Sequence, residues 1–528
     1  MDTDQKASTR SLLQATTTVG AMTGVSRVLG LVRDMVFTRL FGASWMMDAF
    51  IIANRIPNML RRFFAEGAFA QAFVPVLNEV RSEGGDVAVR ILTARVAGTL
   101  GLALFVLTLV GVIAAPLIVA GFSPGFLADA DTYALATQML RITFPYLLFI
   151  SLTSLAASVL NTYGQFAVPA LTPVLLNIVL IACAIWLAPM FDYPTMALAV
   201  GVFIGGLVQL GCQLPFVRRL GVLAWPRWSW HDAQVQKIFR LMLPAIFGSS
   251  VAQINLIINN VIASLLGEGR ITWLYYSDRL MEFPLGVFGI ALATVILPSL
   301  SRNVAGDDTA QFSATIDWAL RLVMLIALPA TLGLAVLAGP LITTLFFGGV
   351  FNAHDVQMAQ ASLWAFSGGL TAFITVKVLA PGYFARQDTK TPVKIGVLAL
   401  AVNLILSLVF VGALIQFDVE ATHAGLAMAL TCAAAINALL LYTGLRRRKL
   451  VSPHAGWWAF SIRILTANAM LIIMLLWFSP QLSWWLQADV ADRVLRLSAL
   501  VIGGVVIYTV TALVAGIRPA HLKLQVSR

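Results

Sequence analysis

The chain is short of charged residues. They make up 11% of its 528 positions, whereas about a quarter is usual in a soluble protein, and 59% of the residues are apolar. This composition excludes an ordinary soluble globular domain. Apolar runs of about 20 residues, the length a helix needs to cross a bilayer, recur from end to end. None alternates as barrel strands do, so the sequence predicts an all-α polytopic membrane protein.

The chain also lacks the motifs of several enzyme classes. It has no G-x-x-x-x-G-K-[ST] phosphate loop and no H-E-x-x-H zinc motif. Its five histidines are scattered over predicted loops, and its three cysteines lie in apolar segments at unrelated spacings, which is typical of small buried side chains. We therefore expect no metal, no cofactor and no catalytic site. A secondary transporter driven by an ion gradient or the membrane potential is favoured over an enzyme.

Basic residues exceed acidic residues by 11, an excess that nucleic acid or anionic lipid could explain. Their positions favour an explanation by topology, because basic clusters alternate along the chain with acidic or neutral connections. Basic connections remain in the cytoplasm. The alternation predicts about 14 transmembrane helices in the inner (cytoplasmic) membrane, with both termini cytoplasmic and no nucleic-acid partner.

An internal repeat is visible in the spacing of prolines. Pro75 and Pro298 each end a small-residue stretch with the pattern Pro-x-Leu, and they are 223 positions apart. Pro169 and Pro392, which open two other similar segments, are separated by the same 223 positions. Two independent landmarks with one offset indicate that the chain contains one six-helix unit twice.

The repeat predicts the domain organisation. We expect an N-lobe at residues 1–220, a C-lobe at 221–450 and an unrepeated C-terminal helix pair with its tail at 451–528. Six crossings return the chain to its starting side, so the two lobes have the same orientation, as in a recognised class of transporters. A cavity between such lobes, opened alternately to each side of the membrane, is the expected mechanism.

Ionisable residues inside the predicted spans gather in three helices, two of them at matched places in the two lobes. Each such residue costs about 2.5–3.5 kcal/mol on insertion scales, so a functional reason is expected. Arginine binds phosphate oxygens bidentately and stays charged, which favours a polyanionic head group such as a pyrophosphate as the ligand of a cationic cavity. The candidate residues are Arg27, Arg33, Asp34, Arg61, Arg62, Glu66, Asp278, Arg279 and Glu282.

A structural role is the alternative for the charged residues that have a close partner of opposite sign, because such pairs can simply hold helices together. The pairs are Arg33 with Asp34, Arg62 with Glu66, and Arg279 with Glu282.

A ligand-binding role is favoured for Arg27 and Arg61, which have no obvious immediate partner, and for Arg279, which lies at the matched place in the other lobe. The Arg62–Glu66 pair stays open between the two roles. Pro57 can rotate the helix, so the sequence also leaves open whether Arg61 or Arg62 faces the cavity.

Five stretches resemble the MurJ (MviN) family. They are Ser26–Asp34 (SRVLGLVRD), Phe41–Phe50 (FGASWMMDAF), Pro57–Pro75 (PNMLRRFFAEGAFAQAFVP), Tyr275–Pro284 (YYSDRLMEFP) and Val378–Val393 (VLAPGYFARQDTKTPV). The similarity extends over nearly the whole chain. It implies the fold of the multidrug/oligosaccharidyl-lipid/polysaccharide exporters, with 14 helices.

The resemblance implies an activity: translocation of lipid II, the undecaprenyl-pyrophosphate-linked peptidoglycan precursor, from the cytoplasmic to the periplasmic leaflet. Partners would then be lipid II, membrane lipids and other cell-wall synthesis proteins. It also implies that the C-terminal helix pair forms a groove for the lipid tail. The family's cavity residues match Arg27, Arg33, Arg61 and Arg279, with an important acidic residue at Asp48.

Some family members bind sodium through acidic residues of the second lobe. The corresponding helices here carry Asn255, Asn259 and Asn403 but no carboxylate, so the sequence leaves open whether this chain has a sodium site.

Two other functions stay open. One is a flippase for another polyprenyl-linked glycan, or a drug exporter of the same fold, although an exporter of cationic drugs would need more acidic residues in its cavity. The other is a membrane glycosyltransferase or phosphatase acting on the same lipid. Such an enzyme needs a cluster of catalytic carboxylates at a membrane face, which only Asp278 and Glu282 could begin.

Overall fold

The structure is a computed structural model that describes residues 2–64, 68–452 and 456–518. These residues are almost entirely helical, and the one β-type pairing among them is an isolated bridge between Gly348 and Phe351. The predicted all-α class is confirmed. A helix satisfies its backbone hydrogen bonds internally, which is the condition for crossing lipid.

The chain packs into two compact units, Met1–Ile271 and Thr272–Arg528. The helices of the first unit are α1 (Asp2–Phe41), α2 (Trp45–Phe64), α3 (Ala68–Ile113), α4 (Ala115–Phe122), α5 (Ala130–Thr143), α6 (Tyr146–Thr162), α7 (Ala167–Ala182), α8 (Met196–Arg219) and α9 (Ala233–Ser264), with short 3₁₀ turns at Pro124–Ala128 and Ala188–Met190 and a π-turn at Cys183–Leu187.

Helix α10 (Arg270–Pro284) leads into the second unit and continues through a π-turn at Leu285–Gly289 into α11. The remaining helices are α11 (Ile290–Ala305), α12 (Thr309–Val336), α13 (Ala338–Phe346), α14 (Ala353–Ser367), α15 (Leu370–Phe384), α16 (Lys390–Gln416), α17 (Ala424–Arg447), α18 (Trp457–Phe478), α19 (Leu482–Gln487) and α20 (Val490–Val514).

Within the described residues, 11 helical stretches are long and apolar enough to cross a membrane, so the chain is a multi-pass membrane protein. The long helices α1, α2 and α9 lie outside this set. Helices α1 and α2 carry several of the predicted site residues, and that charge lowers their hydropathy. Counting these three helices as further spans would give the expected 14.

The prolines of the repeat occupy matched places. Pro169 is the third residue of α7 and Pro392 is the third residue of α16, where a missing backbone N–H costs no helical hydrogen bond. Pro75 and Pro298 both lie inside longer helices, α3 and α11. The 223-residue offset therefore relates equivalent structural positions.

The division by packing falls one helix later than the lobe boundary expected at residue 220. Helix α9, which follows residue 220, packs on α3 and α2 and so belongs to the first unit. The lobe ranges 1–220, 221–450 and 451–528 describe the repeat and stay a prediction.

The C-terminal helices α18 and α20 pack on each other and on α12. Tyr508 of α20 donates a hydrogen bond to the Leu325 carbonyl at 2.7 Å. At the start of α18, the Trp457 indole donates to Asp317, and the Arg321 guanidinium both pairs with Asp317 at 2.9 Å and lies 5.3 Å from the Trp457 ring. This polar contact fixes one end of the helix pair on the second unit.

Candidate functional site

Arg33 is held tightly on α1. Its Nε and Nη2 donate to Asp34 Oδ1 at 3.0 and 2.6 Å, and its Nη1 donates to Asn177 Oδ1 of α7 at 3.0 Å. The guanidinium also lies 5.6 Å from the ring centroid of Phe37. Both charged residues are buried, with 9% of Arg33 and 3% of Asp34 exposed. The Arg33–Asp34 pairing considered from the sequence is present and lies in the packed interior of the first unit.

Asn177 joins α7 to α1 at a second point, because its Nδ2 donates to the Ser26 carbonyl at 3.2 Å. Gly30 lies between these contacts, and a Cβ built there would stand 3.8 Å from Asn177 Nδ2. The sequence gives no sign that Asn177 is the neutral partner of Arg33. No local spacing could have found it, since the two residues are 144 positions apart.

Arg27 has different surroundings on the same helix. Arg27 lies six positions before Arg33, which places the two side chains about 120° apart around the helix axis. Arg27 is half-buried and, within the part of the chain that the structure describes, makes no hydrogen bond or ion pair. Its charge is therefore available to a ligand in a way that the charge of Arg33 is not.

Asp48 lies in the first turn of α2 and is only 2% exposed. Its Oδ2 accepts a hydrogen bond from the backbone N–H of Gly269 at 2.7 Å, and the N–H of Trp45 donates to Glu268 at 3.1 Å. The start of α2 thus holds the turn between α9 and α10, and we name these two hydrogen bonds the α9–α10 clasp. The sequence gives no sign of the partner of Asp48, which lies 221 positions away.

Further along α2, Arg55 Nη1 donates to Asn260 of α9. Arg61 is half-buried and Arg62 is exposed in the last turn of the helix. Adjacent residues on a helix point about 100° apart, so the two guanidinium groups face different surroundings. Glu66, the predicted partner of Arg62, lies outside the described residues.

The second unit contains Asp278, Arg279 and Glu282 on α10. Arg279 Nη1 lies 3.4 Å from Glu282 Oε2, with 41% and 48% of the two side chains exposed, and its guanidinium lies 5.5 Å from the ring centroid of Tyr275. Asp278 is half-buried. The predicted Arg279–Glu282 contact is therefore present but loose and open to its surroundings.

The described residues contain no group of three or more His, Cys, Asp or Glu side chains placed to hold a metal ion. The asparagines at the positions matched to the family's sodium-binding helices are half-buried at 255 and 259 and buried at 403. Within the first unit the structure thus brings together Arg33 with Asp34 and Asn177. Arg27 lies on another face of α1, and Arg61 lies on α2.

Comparison with known proteins gives one result at three levels. The sequence model of a family described as "Lipid II flippase MurJ" matches residues 37–494. A Vibrio cholerae protein named "Probable lipid II flippase MurJ" is 46% identical over 523 residues, covering 97% of this chain and 98% of its own length. A solved structure described as "Lipid II flippase MurJ, inward closed conformation" superposes with a TM-score of 0.75 at 25% identity, covering 94% of this chain and 98% of the other.

A more distant likeness concerns the fold alone. An inward-facing structure of a multidrug resistance MATE family transporter of the MOP superfamily superposes with a TM-score of 0.59 at 13% identity, over 82% of this chain and 95% of its own.

Proposed function

The chain belongs to the lipid II flippase MurJ family, and from that membership we propose that it moves lipid II from the cytoplasmic to the periplasmic leaflet of the inner membrane. The observation that carries the proposal is the 46% identity to a relative of that name over 97% of the chain. The named relatives are flippases, so the proposed activity is transport without catalysis or a cofactor. In the proposed orientation both termini are cytoplasmic.

Arg27 is the first residue we assign to the pyrophosphate of lipid II. It is half-buried on α1 and makes no hydrogen bond or ion pair within the described residues. A guanidinium in partly desolvated surroundings binds a phosphate more strongly than one in water, because the local dielectric is lower. Contact with the substrate would therefore give Arg27 the anionic partner that its position favours.

Arg61 and Arg279 are the next candidates. The contact of Arg279 with Glu282 is exposed and 3.4 Å long, and exposed ion pairs contribute about 0–1 kcal/mol, so exchanging Glu282 for a phosphate oxygen costs little. Arg61 is half-buried at the end of α2, next to the exposed Arg62. We propose that these arginines line a cavity between the two lobes, with Asp278 and Glu282 balancing part of their charge.

Arg33 and Asp34 contribute differently in this proposal. The Arg33 guanidinium already donates to Asp34 and Asn177, so its first effect is to hold α1 against α7. A buried pair of this kind fixes a side chain at one place. By fixing α1 in this way, Arg33 would also position Arg27 on the same helix. Its own contact with the substrate would be secondary.

Alternating access is the mechanism we propose, with the α9–α10 clasp as its periplasmic latch. Asp48 and Glu268 tie the beginning of α2 to the turn that precedes α10. Opening the path to the periplasm would release these hydrogen bonds and closing it would restore them. The undecaprenyl tail stays in lipid beside the C-terminal helix pair, where Leu476 is 64% and Ile502 is 63% exposed.

The proposal is tested by complementation in cells depleted of their own lipid II flippase. Wild-type protein should restore growth, whereas Arg27→Ala, Arg61→Ala and Arg279→Ala, at equal abundance in the membrane, should fail and leave lipid II on the cytoplasmic side. Arg302→Ala is the matched control, because among the described residues the one polar contact of this exposed arginine near the end of α11 is with Ser299 at 3.4 Å, and removing it changes the charge equally. Failure of the wild type, or rescue by all three variants, would contradict the proposal.

A further inference from the structure

Three tryptophans face outward in the connection between α8 and α9. Trp225, Trp228 and Trp230 are 88%, 56% and 42% exposed. The rings of Trp228 and Trp230 stack with their centroids 6.3 Å apart, and Phe239 of α9 lies 5.3 Å from Trp230. We name residues 221–232 the tryptophan segment. Exposed indoles clustered in this way are typical of a membrane–water interface, because the apolar ring can lie in the hydrocarbon while its N–H hydrogen-bonds to water or head groups.

The segment is seated on α3 by backbone contacts. The N–H of Arg227 donates to the Ala94 carbonyl at 2.9 Å, and the N–H of Ser229 donates to Thr99 Oγ1 at 3.1 Å. Gly98 permits this approach, because a Cβ at that position would stand 2.3 Å from the Arg227 carbonyl carbon. These contacts therefore fix the position of the three tryptophans relative to α3.

A charged contact extends the attachment to α9. Arg95 of α3 pairs with Asp232. The same carboxylate caps α9 by accepting from the backbone N–H groups of Gln234 and Val235 at 3.0 and 3.1 Å. The tryptophan segment and the start of α9 are therefore fixed to α3 together, through Asp232.

The place of attachment along α3 gives the depth of the segment. Residues 96–113 of α3 contain no charged side chain, and at 1.5 Å per residue they span about 27 Å, close to the thickness of the hydrocarbon core. The contacts at Ala94 and Thr99 lie at one end of this run, next to Arg95. The indoles therefore lie where the hydrocarbon meets the head groups.

The charge around the segment is strongly basic. Between residues 218 and 240 the chain has five lysines and arginines and one acidic residue, Asp232, which is paired with Arg95. Of the five cations, Lys237 is paired with Glu79 of α3 at 2.6 Å. Arg218, Arg219 and Arg227 are exposed. Juxtamembrane clusters of this sign attract anionic lipids.

We propose that the tryptophan segment is an interfacial anchor that binds the head groups of anionic phospholipids and sets the membrane depth of α3 and of the start of α9. Its assignment to the cytoplasmic leaflet rests on the orientation in the proposed function. The depth and the lipid preference do not depend on lipid II.

The depth is tested by a nitroxide spin label in proteoliposomes, in a background in which Cys183, Cys212 and Cys432 are replaced by alanine. The label is placed at Trp225→Cys or, separately, at Trp228→Cys, and its collisions with oxygen and with a water-soluble nickel complex are measured. The matched controls are two exposed positions on α3, Glu83→Cys near the turn at Gly85 and Leu109→Cys in the uncharged run. If the segment is an interfacial anchor, the ratio of the oxygen to the nickel collision rate at both tryptophan sites should lie between the ratios measured at the two control positions. A ratio equal to that at Glu83 would overturn the proposal.

The lipid preference is tested with the same labelled protein in vesicles of phosphatidylcholine alone and of equal parts phosphatidylcholine and phosphatidylglycerol. The label at Trp225→Cys should lie deeper and move less in the anionic vesicles, and the added substitutions Arg218→Gln, Arg219→Gln and Arg227→Gln should remove that difference. Equal depth and mobility in both vesicles would overturn the binding of anionic lipid. Loss of transport with unchanged spin-label results would bear on the proposed function alone.

Discussion

The charged helices of the two units differ in how firmly their arginines are held. In the first unit, Arg33 lies 2.6 Å from Asp34, with 11% and 4% of the two side chains exposed. In the second, Arg279 lies 3.4 Å from Glu282, with 41% and 48% exposed. A buried pair keeps its geometry because breaking it leaves an uncompensated charge, whereas an exposed pair can exchange partners at little cost. The two units therefore differ: the first holds Arg33 in a fixed, charge-balanced pair, and the second holds Arg279 in a pair that can exchange partners.

A further contrast lies within α1. Arg33 is tied to Asp34 and Asn177, while Arg27, on another face, has no hydrogen bond or ion pair among the described residues. One helix thus carries an arginine held by its neighbours and the arginine that we propose binds the ligand. Variants of the two residues should separate stability from transport.

The largest expected effect is on stability, from Arg33→Ala. It leaves the Asp34 carboxylate buried without its cation, so we expect a loss of about 3–5 kcal/mol, seen as a much lower melting temperature of the purified protein and low abundance in the membrane. The double variant Arg33→Gln with Asp34→Asn should recover most of the loss, since no net charge is then left buried. An unchanged melting temperature of Arg33→Ala would show that the pair is not structural.

The second effect is on transport, from Arg27→Ala. Because Arg27 makes no polar contact with the described residues, the free energy of unfolding should change by no more than about 0.5 kcal/mol. Rescue of flippase-depleted cells should nevertheless be lost. A fall in melting temperature as large as that of Arg33→Ala would place Arg27 in the structural class and remove the contrast within α1.

A third effect concerns the α9–α10 clasp. Asp48→Ala deprives the Gly269 N–H of its acceptor, which costs about 1–3 kcal/mol locally, so hydrogen exchange of the peptide covering residues 266–271 should become faster. Asp48→Asn keeps an acceptor oxygen and should show a smaller increase. Exchange as slow as in the wild type for both variants would mean that the clasp does not restrain this turn.

The smallest effect compares two turns at equivalent places in the repeat. After α15, the side chain and N–H of Thr391 and the Arg448 guanidinium lower the pKa of Asp388 to about 2. After α6, partial burial and the hydrogen bond to Asp86 raise the pKa of Tyr163 to about 12. A lowered carboxyl pKa stabilises the turn above the unfolded value of about 3.9, and this is lost as the pH falls towards 2. A raised phenol pKa stabilises the turn below about 10, and this is lost as the pH rises through 12.

Spin labels at Arg386→Cys and Gln165→Cys report on the mobility of the two turns. The label at 386 should loosen only in acid, and Asp388→Asn should remove that response. The label at 165 should loosen only in strong alkali, with Tyr163→Phe removing the response. Loosening of both turns at the same pH would contradict the comparison.

Much of the fold follows from features that act locally or repeat. Apolar runs predict helices because lipid leaves no other backbone arrangement, and the proline offset identifies α7 with α16 before any contact is known. The Arg279–Glu282 pair was also accessible, since residues three apart on a helix are neighbours. The Arg33–Asp34 pair was suggested by adjacency in the sequence alone.

The partners that decide the roles of the charges were not accessible. Asn177, Asn260 and Gly269 reach Arg33, Arg55 and Asp48 across 144 to 221 positions, and they carry no charge that would mark them as partners. The sequence places the charged stretches of α2 and α10 at matched places in the two lobes. In the structure Arg61 is half-buried and Arg279 is exposed, because burial depends on which helices pack alongside and not on position in the repeat.

The central claim, that an arginine without an internal partner binds the pyrophosphate, is tested most directly by titrating purified protein with lipid II and measuring the dissociation constant by native mass spectrometry. Arg27→Ala should weaken binding roughly tenfold or more, which corresponds to about 1.4 kcal/mol. Arg302→Ala, with the same change in charge, should bind as the wild type does. Equal affinity of the Arg27→Ala and wild-type proteins for lipid II would contradict the account.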